Sequence, residues 1–215
     1  MKLVAVADTH NEYHKLIVPD GDVFIQAGDI DLCNLKDAVR YNKWLGTLPH
    51  KYKIVVGGNH DVWLAKNYMQ IKHEVLDNCI YLENSGVELE GINFWGSPMS
   101  PTFGNWYFMA DRGEDIKHYW DAIPENTDVL ITHSPPQRIL DEVPRGIWYD
   151  YAGCKDLHNR VKQIKPVFHI FGHIHCGAGE KKDEHTQYCN VAVMGEDYTL
   201  INEPMQLNIN KGDKK

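Results

Sequence analysis

The apolar run Lys53-Ile54-Val55-Val56 breaks into Gly57-Gly58-Asn59-His60-Asp61. Such a run reads as a buried strand, and the paired glycines read as its exit into a loop presenting an amide, an imidazole and a carboxylate together. The same pattern recurs along the chain, where short apolar runs end in Asp8-Thr9-His10, Gly28-Asp29, Thr132-His133 and Gly172-His173-Ile174-His175. Taken singly each is ordinary, since Gly-Gly-Asn is turn composition and a His-x-His pair is more often surface or core than ligand. Together they ask for a sheet architecture in which strand ends converge, because open α/β sheets place their sites at the carboxyl ends of their strands.

Residues 3–7, 22–27, 53–56, 128–132 and 167–171 are expected as strands, the first apolar enough to lie centrally and be covered on both faces. Asn34 is placed to cap a helix over residues 35–48, with Leu35, Val39, Leu45 and Leu48 among its apolar positions. Residues 61–72 read as one helix burying Val62, Leu64, Ala65, Tyr68 and Met69. Short strands follow at 79–82, 87–89 and 92–95, the last two joined as a hairpin at Glu90-Gly91. Residues 96–112 form an irregular aromatic connection whose Phe103, Trp106, Tyr107 and Phe108 either fill the core or wall a pocket. Residues 138–151 read as a loop with a helical turn, and a helix from residue 154 or 155 to 164 stops before Pro166. Segments 187–193 and 200–207 finish a sheet. The 215-residue length suits one α/β domain over residues 1–210, followed by a charged tail over residues 211–215.

A formal charge of −8 excludes a broad electrostatic footprint on nucleic acid. It leaves room for a small phosphorylated substrate, because bound cations reverse the local sign of an acidic site. The five cysteines lack a Cys-x-x-Cys spacing, so neither a disulfide framework nor a Cys-rich zinc site is indicated, and a cytoplasmic setting is expected. Asp8 and His10 interrupt the first apolar run before it reaches signal-peptide length. No run approaches the length of a membrane span, so no membrane partner is expected.

The strand-end groups collect into one set: Asp8, His10, Asp29, Asn59, His60, His133, His173 and His175. Mixed imidazole and oxygen donors suit a borderline divalent transition metal, manganese first, with iron, zinc, cobalt or nickel as alternatives; magnesium alone would favour oxygen throughout. So many donors point to two ions rather than one, with Asp29 free on its own strand end to bridge them. Following Gly172, His173 and His175 are expected on a turn, aimed at different ions.

The ordered set Asp8-x-His10, Gly28-Asp29, Gly58-Asn59-His60-Asp61, His133 and Gly172-His173-x-His175 resembles the calcineurin-like metallophosphoesterase superfamily. Gly96-Ser97-Pro98, Asn105-Trp106, Ile123-Pro124, residues 127–136 and residues 171–175 are similar to its small MPPED-type branch, whose members include class III cyclic nucleotide phosphodiesterase-like proteins. The resemblance implies an α/β fold built as a four-layer αββα sandwich of two mixed sheets flanked by helices, with a binuclear centre at the strand C-terminal ends. Carried over position by position, Asp8, His10, Asp29 and His175 would hold one ion, and Asp29, Asn59, His133 and His173 the other. It also implies attack on a phosphodiester or phosphomonoester by a hydroxide shared between the ions, with His60 assisting the leaving group. Many relatives orient this imidazole with an Asp three residues beyond the bridging one. Here that position is Leu32, which leaves Asp61, Asp31 or no carboxylate at all as the partner of His60. Asn11 stands where glycine is common, and asparagine tolerates the left-handed turn needed there.

The substrate expected on these grounds is a small phosphorylated molecule, a nucleotide among the candidates. Two other functions compete: a nuclease, for which an acidic chain offers no extended groove, and a low-turnover nucleotide-binding regulatory protein, which would be expected to lack a ligand or the imidazole. Outside the set, His14 reads as surface and Cys176 as a small buried thiol. Trp148-Tyr149-Asp150-Tyr151 either walls the substrate site or buries a homodimer contact.

Overall fold

Aliphatic and β-branched runs covered on both faces form strands here, and segments whose apolar residues recur at three and four form helices. The computed structural model describes residues 1–213; Lys214 and Lys215, the end of the expected charged tail, lie outside the described residues. In chain order the elements are β1 (Lys2–Val6), β2 (Val23–Ala27), α1 (Leu35–Leu45), β3 (Tyr52–Val56), α2 (Val62–Lys66), α3 (Met69–Val75), β4 (Ile80–Leu82), β5 (Ser85–Leu89), β6 (Ile92–Ser97), β7 (Ser100–Pro101), β8 (Met109–Ala110), α4 (Glu114–Asp121), β9 (Val129–Thr132), β10 (Glu142–Arg145), β11 (Trp148–Tyr151), α5 (Lys155–Ile164), β12 (Phe168–Phe171), β13 (Gly179–Lys182), β14 (Gln187–Asn190) and β15 (Met205–Asn208).

One sheet runs β15-β1-β2-β3-β4, parallel from β1 to β4 with β15 antiparallel at its edge. The other runs β13-β14-β12-β9-β6-β5, its central four strands parallel and both edge strands antiparallel. Their inner faces meet through Leu3, Ala5, Val23, Ile25, Ile54 and Val56 on one side and Phe94, Val129, Ile131, Phe168 and Ile170 on the other. The alternate residues face outward, as the two-residue period of a strand requires. Val4, Val6, Phe24 and Val55 are covered by Ala38, Tyr41 and Leu45 of α1 and by Trp63 and Leu64 of α2. Leu130, Phe171 and Tyr188 are covered by Ile116 and Trp120 of α4 and by Leu157, Val161 and Ile164 of α5. The result is the expected αββα sandwich of two mixed sheets. Fully burying one such aliphatic side chain is worth roughly 1.5–3 kcal/mol, so two-sided burial outweighs intrinsic propensity in strands this short.

Several local expectations need correction. Helix α1 ends at Leu45 and buries Ala38 and Tyr41, leaving Leu35 and Val39 about half exposed. Tyr41 turns that face inward by packing edge-on against Tyr13, with ring centroids 4.9 Å apart. The single helix expected over residues 61–72 is two, α2 and α3, because Asn67 adopts extended backbone and its side-chain amide donates to the Trp63 carbonyl at 2.7 Å. Tyr68, expected inside, is 83% exposed at the break. Residues 138–151 contain a hairpin, β10–β11, rather than a helical turn; Gly146 supplies its reversal at φ 70. Strand β13 was not anticipated, since its Gly-Glu-Lys-Lys sequence carries the charges of an exposed edge strand rather than an apolar run. The segment expected to be strand over 200–207 is strand only from Met205. Among the described residues no helix is long and apolar enough to cross a membrane.

Candidate metal centre

Each strand-end motif reaches the same cleft because the parallel strands of both sheets point their carboxyl ends towards it. The loop after β1 carries Asp8 and His10, that after β2 Asp29, that after β3 Asn59 and His60, that after β9 His133, and that after β12 His173 and His175. Tight reversals are needed to turn these side chains inward, and the backbone shows them: φ is 55 at Asp8, 51 at Asp29 and 70 at His173. Left-handed backbone at a non-glycine residue costs energy and concentrates at functional sites. Asn11 also takes the left-handed turn, at φ 65. Gly28 combines a φ of 98 with a position where a Cβ would collide with the His133 ring.

Among the described residues, three groups of candidate ligand atoms each span no more than 4.8 Å: His10, Asp31 and His60 form one at the rim, which shares His10 with the first of the two clusters that line the cleft. Asp8, His10 and His175 form that first cluster, and Asp29, His133 and His173 the second. The structure thus brings His173 and His175 to different clusters. Asn59 joins the second through its Oδ1, which lies 2.9 Å from His133 Nε2. Asp29 Oδ1 lies 3.3 Å from the same nitrogen and accepts from the His60 amide at 2.9 Å. Asp8 accepts from the His173 amide with both oxygens, at 3.0 and 2.9 Å.

Tautomers are fixed from behind. His133 Nδ1 donates to the Ala27 carbonyl at 3.0 Å, His175 Nδ1 to the Gly195 carbonyl at 3.0 Å, and His10 Nδ1 to Asp31 Oδ1 at 3.1 Å. Carbonyl and carboxylate oxygens only accept, so each Nδ1 carries a proton and each Nε2 is turned to the cleft, where the neutral ring presents a lone pair. His10 Nε2 and His175 Nε2 face each other at 3.4 Å. With both rings neutral, two lone pairs so placed repel unless a positive charge lies between them. About 3.4 Å is also the separation that two nitrogens take when each sits roughly 2.1 Å from one tetrahedral ion. The donor set therefore fits a metal ion at this cluster. The second offers the same chemistry in a carboxylate, two imidazoles and an amide oxygen.

His60 stands at the rim, its Nδ1 3.3 Å from Asp31 Oδ1 and its ring stacked on Trp106 with centroids 4.3 Å apart. Asp61, expected to orient His60, does something else. Its fully buried carboxylate accepts from the amides of Gly58 at 2.8 Å, Ile30 at 3.1 Å and Leu32 at 3.0 Å. It thereby ties the loop after β3 to the loop after β2, and the carboxylate facing His60 is that of Asp31.

A family model described as calcineurin-like phosphoesterase matches residues 1–177. The chain belongs to the calcineurin-like phosphoesterase family. It is 37% identical to the human metallophosphoesterase domain-containing protein 1 over 97% of this chain and 71% of that protein. A UPF0046 protein of Caenorhabditis elegans is 34% identical over 98% of this chain and 76% of its own length. Among solved structures, the phosphopantetheinyl hydrolase of Mycobacterium tuberculosis superposes with a TM-score of 0.63 at 14% identity, covering 92% of this chain and 90% of that one. A Thermus thermophilus protein, TT1561, gives 0.60 at 14% identity over 88% of each chain. At such identities the two structures support the fold alone. As a calcineurin-like phosphoesterase, the protein is a metal-dependent phosphoester hydrolase.

In this phosphoesterase the cleft's own side chains hold conflicting charges. Burial raises the Asp8 carboxyl, opposed by His133 and reinforced by the Asp29 charge. Burial acts in the same direction on Asp29, but His133 outweighs it and holds that carboxyl below the usual range. Burial acts most strongly on His133 and depresses it, but the charge and hydrogen bond of Asp29, with Asp8 and the Ala27 carbonyl, together outweigh it and lift the ring to about 9. Burial and the His133 charge together push His173 down to about 3. Burial, with Asp29 next, lifts Asp61 to about 7. Divalent cations bound to the clusters would relieve the repulsion between the buried carboxylates in place of a proton on His133.

An aromatic collar of Phe103, Trp106 and Tyr198 closes around the cluster residues in a cavity of about 180 Å³. A groove of about 480 Å³ adjoins it, sharing Phe103, His173 and His175 and bounded by Arg145, Asp150 and Tyr151 of the β10–β11 hairpin. The hairpin therefore flanks the site, while Phe108 packs against the core; the aromatic stretch supplies wall and core alike. Sequence reasoning missed Tyr198, whose ring lies 4.7 Å from that of His10, because nothing near Gly195 marks its loop. It also missed the Ala27 and Gly195 carbonyls, which being backbone leave no sequence signal. His14 is exposed as expected; Cys176 is exposed rather than buried, because its loop faces solvent beside Glu196.

Proposed function

We propose that the protein hydrolyses a phosphodiester, or a phosphomonoester, of a small molecule, with a nucleotide among the candidate substrates. The observation that carries this reading is the placement of the His60 imidazole beside two adjacent donor clusters, its ring 4.9 Å from that of His10. Asp8, His10 and His175 would hold one ion and Asn59, His133 and His173 the other. Asp29, whose charge acts on both Asp8 and His10, would lie between the two. When bound, two divalent ions, manganese first, supply charge neutralisation for the phosphoryl group and a low-pKa source of the nucleophile.

The chain's own groups do the rest. Burial favours neutral His60, but the carboxylates of Asp31 and Asp29 outweigh it and raise its pKa, which favours the protonated ring. It can then give its proton to the departing oxygen. Trp106 stacked on the ring restricts its rotation. With Mn²⁺ the purified protein should hydrolyse bis(p-nitrophenyl) phosphate, and His60→Ala should lower kcat by about 10²–10⁴-fold. Undiminished turnover by His60→Ala would remove the imidazole from the mechanism. A gel-based assay on single- and double-stranded nucleic acid separates this reading from a nuclease, which the net charge of −8 disfavours.

A further inference from the structure

Asp31 lies outside the two cleft clusters but forms the third group of candidate ligand atoms with His10 and His60, and one of its oxygens meets both rings. His10 Nδ1 approaches Oδ1 to 3.1 Å and His60 Nδ1 approaches it to 3.3 Å. The oxygen only accepts, so His10 Nδ1 presents its proton to it and His10 Nε2 is left for the cleft, while His60 Nδ1 lies within ion-pair distance of the same oxygen.

The backbone explains why position 31 supplies this carboxylate. Ile30 and Leu32 are fully buried, and the amide of each is bound by Asp61. With both neighbours anchored inward and its own φ at 66, Asp31 is the residue turned towards the rings. Leu32 is locked in the core beneath α1 and cannot reach them.

We propose that Asp31 is a positioning residue for both halves of the site: its single Oδ1 sets the His10 ring for metal binding and the His60 ring for proton transfer. Metal retention and leaving-group protonation therefore depend on one carboxylate. The second half rests on the reading of His60 as general acid.

Two readouts of Asp31→Ala test this. In equilibrium dialysis against Mn²⁺, one of the two ions should bind about 10–100-fold more weakly, as expected on losing a ligand's hydrogen-bond partner. His60→Ala should bind both ions as the wild type does. In kinetics, the ratio of kcat for bis(p-nitrophenyl) phosphate to kcat for diphenyl phosphate should rise about tenfold or more with KM little changed, because the poorer leaving group needs the proton more. The same rise is expected in His60→Ala, with no further rise in the double variant. Asp31→Glu should recover part of both effects. Thermal unfolding of the metal-free variants shows that they are folded. Wild-type behaviour of folded Asp31→Ala in either readout overturns the shared role, as does equal weakening of both ions. A flat kinetic ratio in His60→Ala as well would place the failure in the general-acid reading, and the Mn²⁺ binding alone would then decide whether Asp31 positions His10.

Discussion

At the residue scale, the Asp61 carboxylate shows how a buried charge can serve a site without touching substrate. It holds three amides from two loops, and removing it leaves them without their acceptor in a fully buried place. Each orphaned donor costs about 1–3 kcal/mol, partly recovered by water entering the gap. Asp61→Ala should therefore destabilise the protein by at least ~2 kcal/mol in urea unfolding; a loss within ~0.5 kcal/mol would show that the loops hold without it. From sequence, Asp61 stands next to His60 and is one candidate for its partner, with Asp31 the other. Adjacent residues on a turn point different ways, and only the left-handed backbone of the preceding loop decides that Asp31 faces the ring. The donor residues themselves were legible, because each followed a strand whose apolar run announced it. Asn11 was legible too, since few side chains suit a φ of 65.

At the element scale, β9 and β12 are joined by a titratable contact away from the ligand clusters. Thr132 Oγ1 donates to the Ser134 carbonyl at 2.7 Å and so accepts from His169 Nε2 at 2.8 Å. That leaves His169 Nδ1 buried with no hydrogen-bond partner, and burial pushes the ring's pKa down to about 3. Above its ordinary value of 6.5, folded and unfolded chains both carry a neutral ring. Below it only the unfolded chain takes the proton, so stability falls as pH drops from about 6.5 towards 3, by ~1.4 kcal/mol per pH unit for one such group. His169→Gln removes this contribution. The stability gap between wild type and His169→Gln, measured by urea unfolding of metal-free protein, should narrow or reverse between pH 7 and 4. A gap constant over that range would contradict the assignment. Elements that bury two faces, such as β1 to β3, could be read from their runs. The hairpin β10–β11 and strand β13 could not, because both are exposed and carry the charged, glycine- and proline-containing sequences of loops.

At the scale of the whole molecule, function follows from two sheets packed face to face with their parallel strands ending at one cleft. Neither sheet completes a ligand cluster alone: Asp8 and His10 meet His175, and Asp29 meets His133 and His173. The sandwich was legible because motif order matched a known family. The groove beside the cleft was not, since it depends on where an exposed hairpin leans. Joint construction by both sheets means that bound metal should stabilise the fold as well as enable turnover, by RT ln(1 + [L]/Kd), or about 2.7 kcal/mol at a hundredfold excess over Kd. The decisive measurement is metal content and phosphodiesterase activity of one preparation before chelation, after chelation and after titration with Mn²⁺. Two ions per chain, activity lost on stripping and regained only as the second equivalent binds would be the outcome predicted here. Full activity in the stripped protein, or in an Asp29→Ala variant, would contradict it.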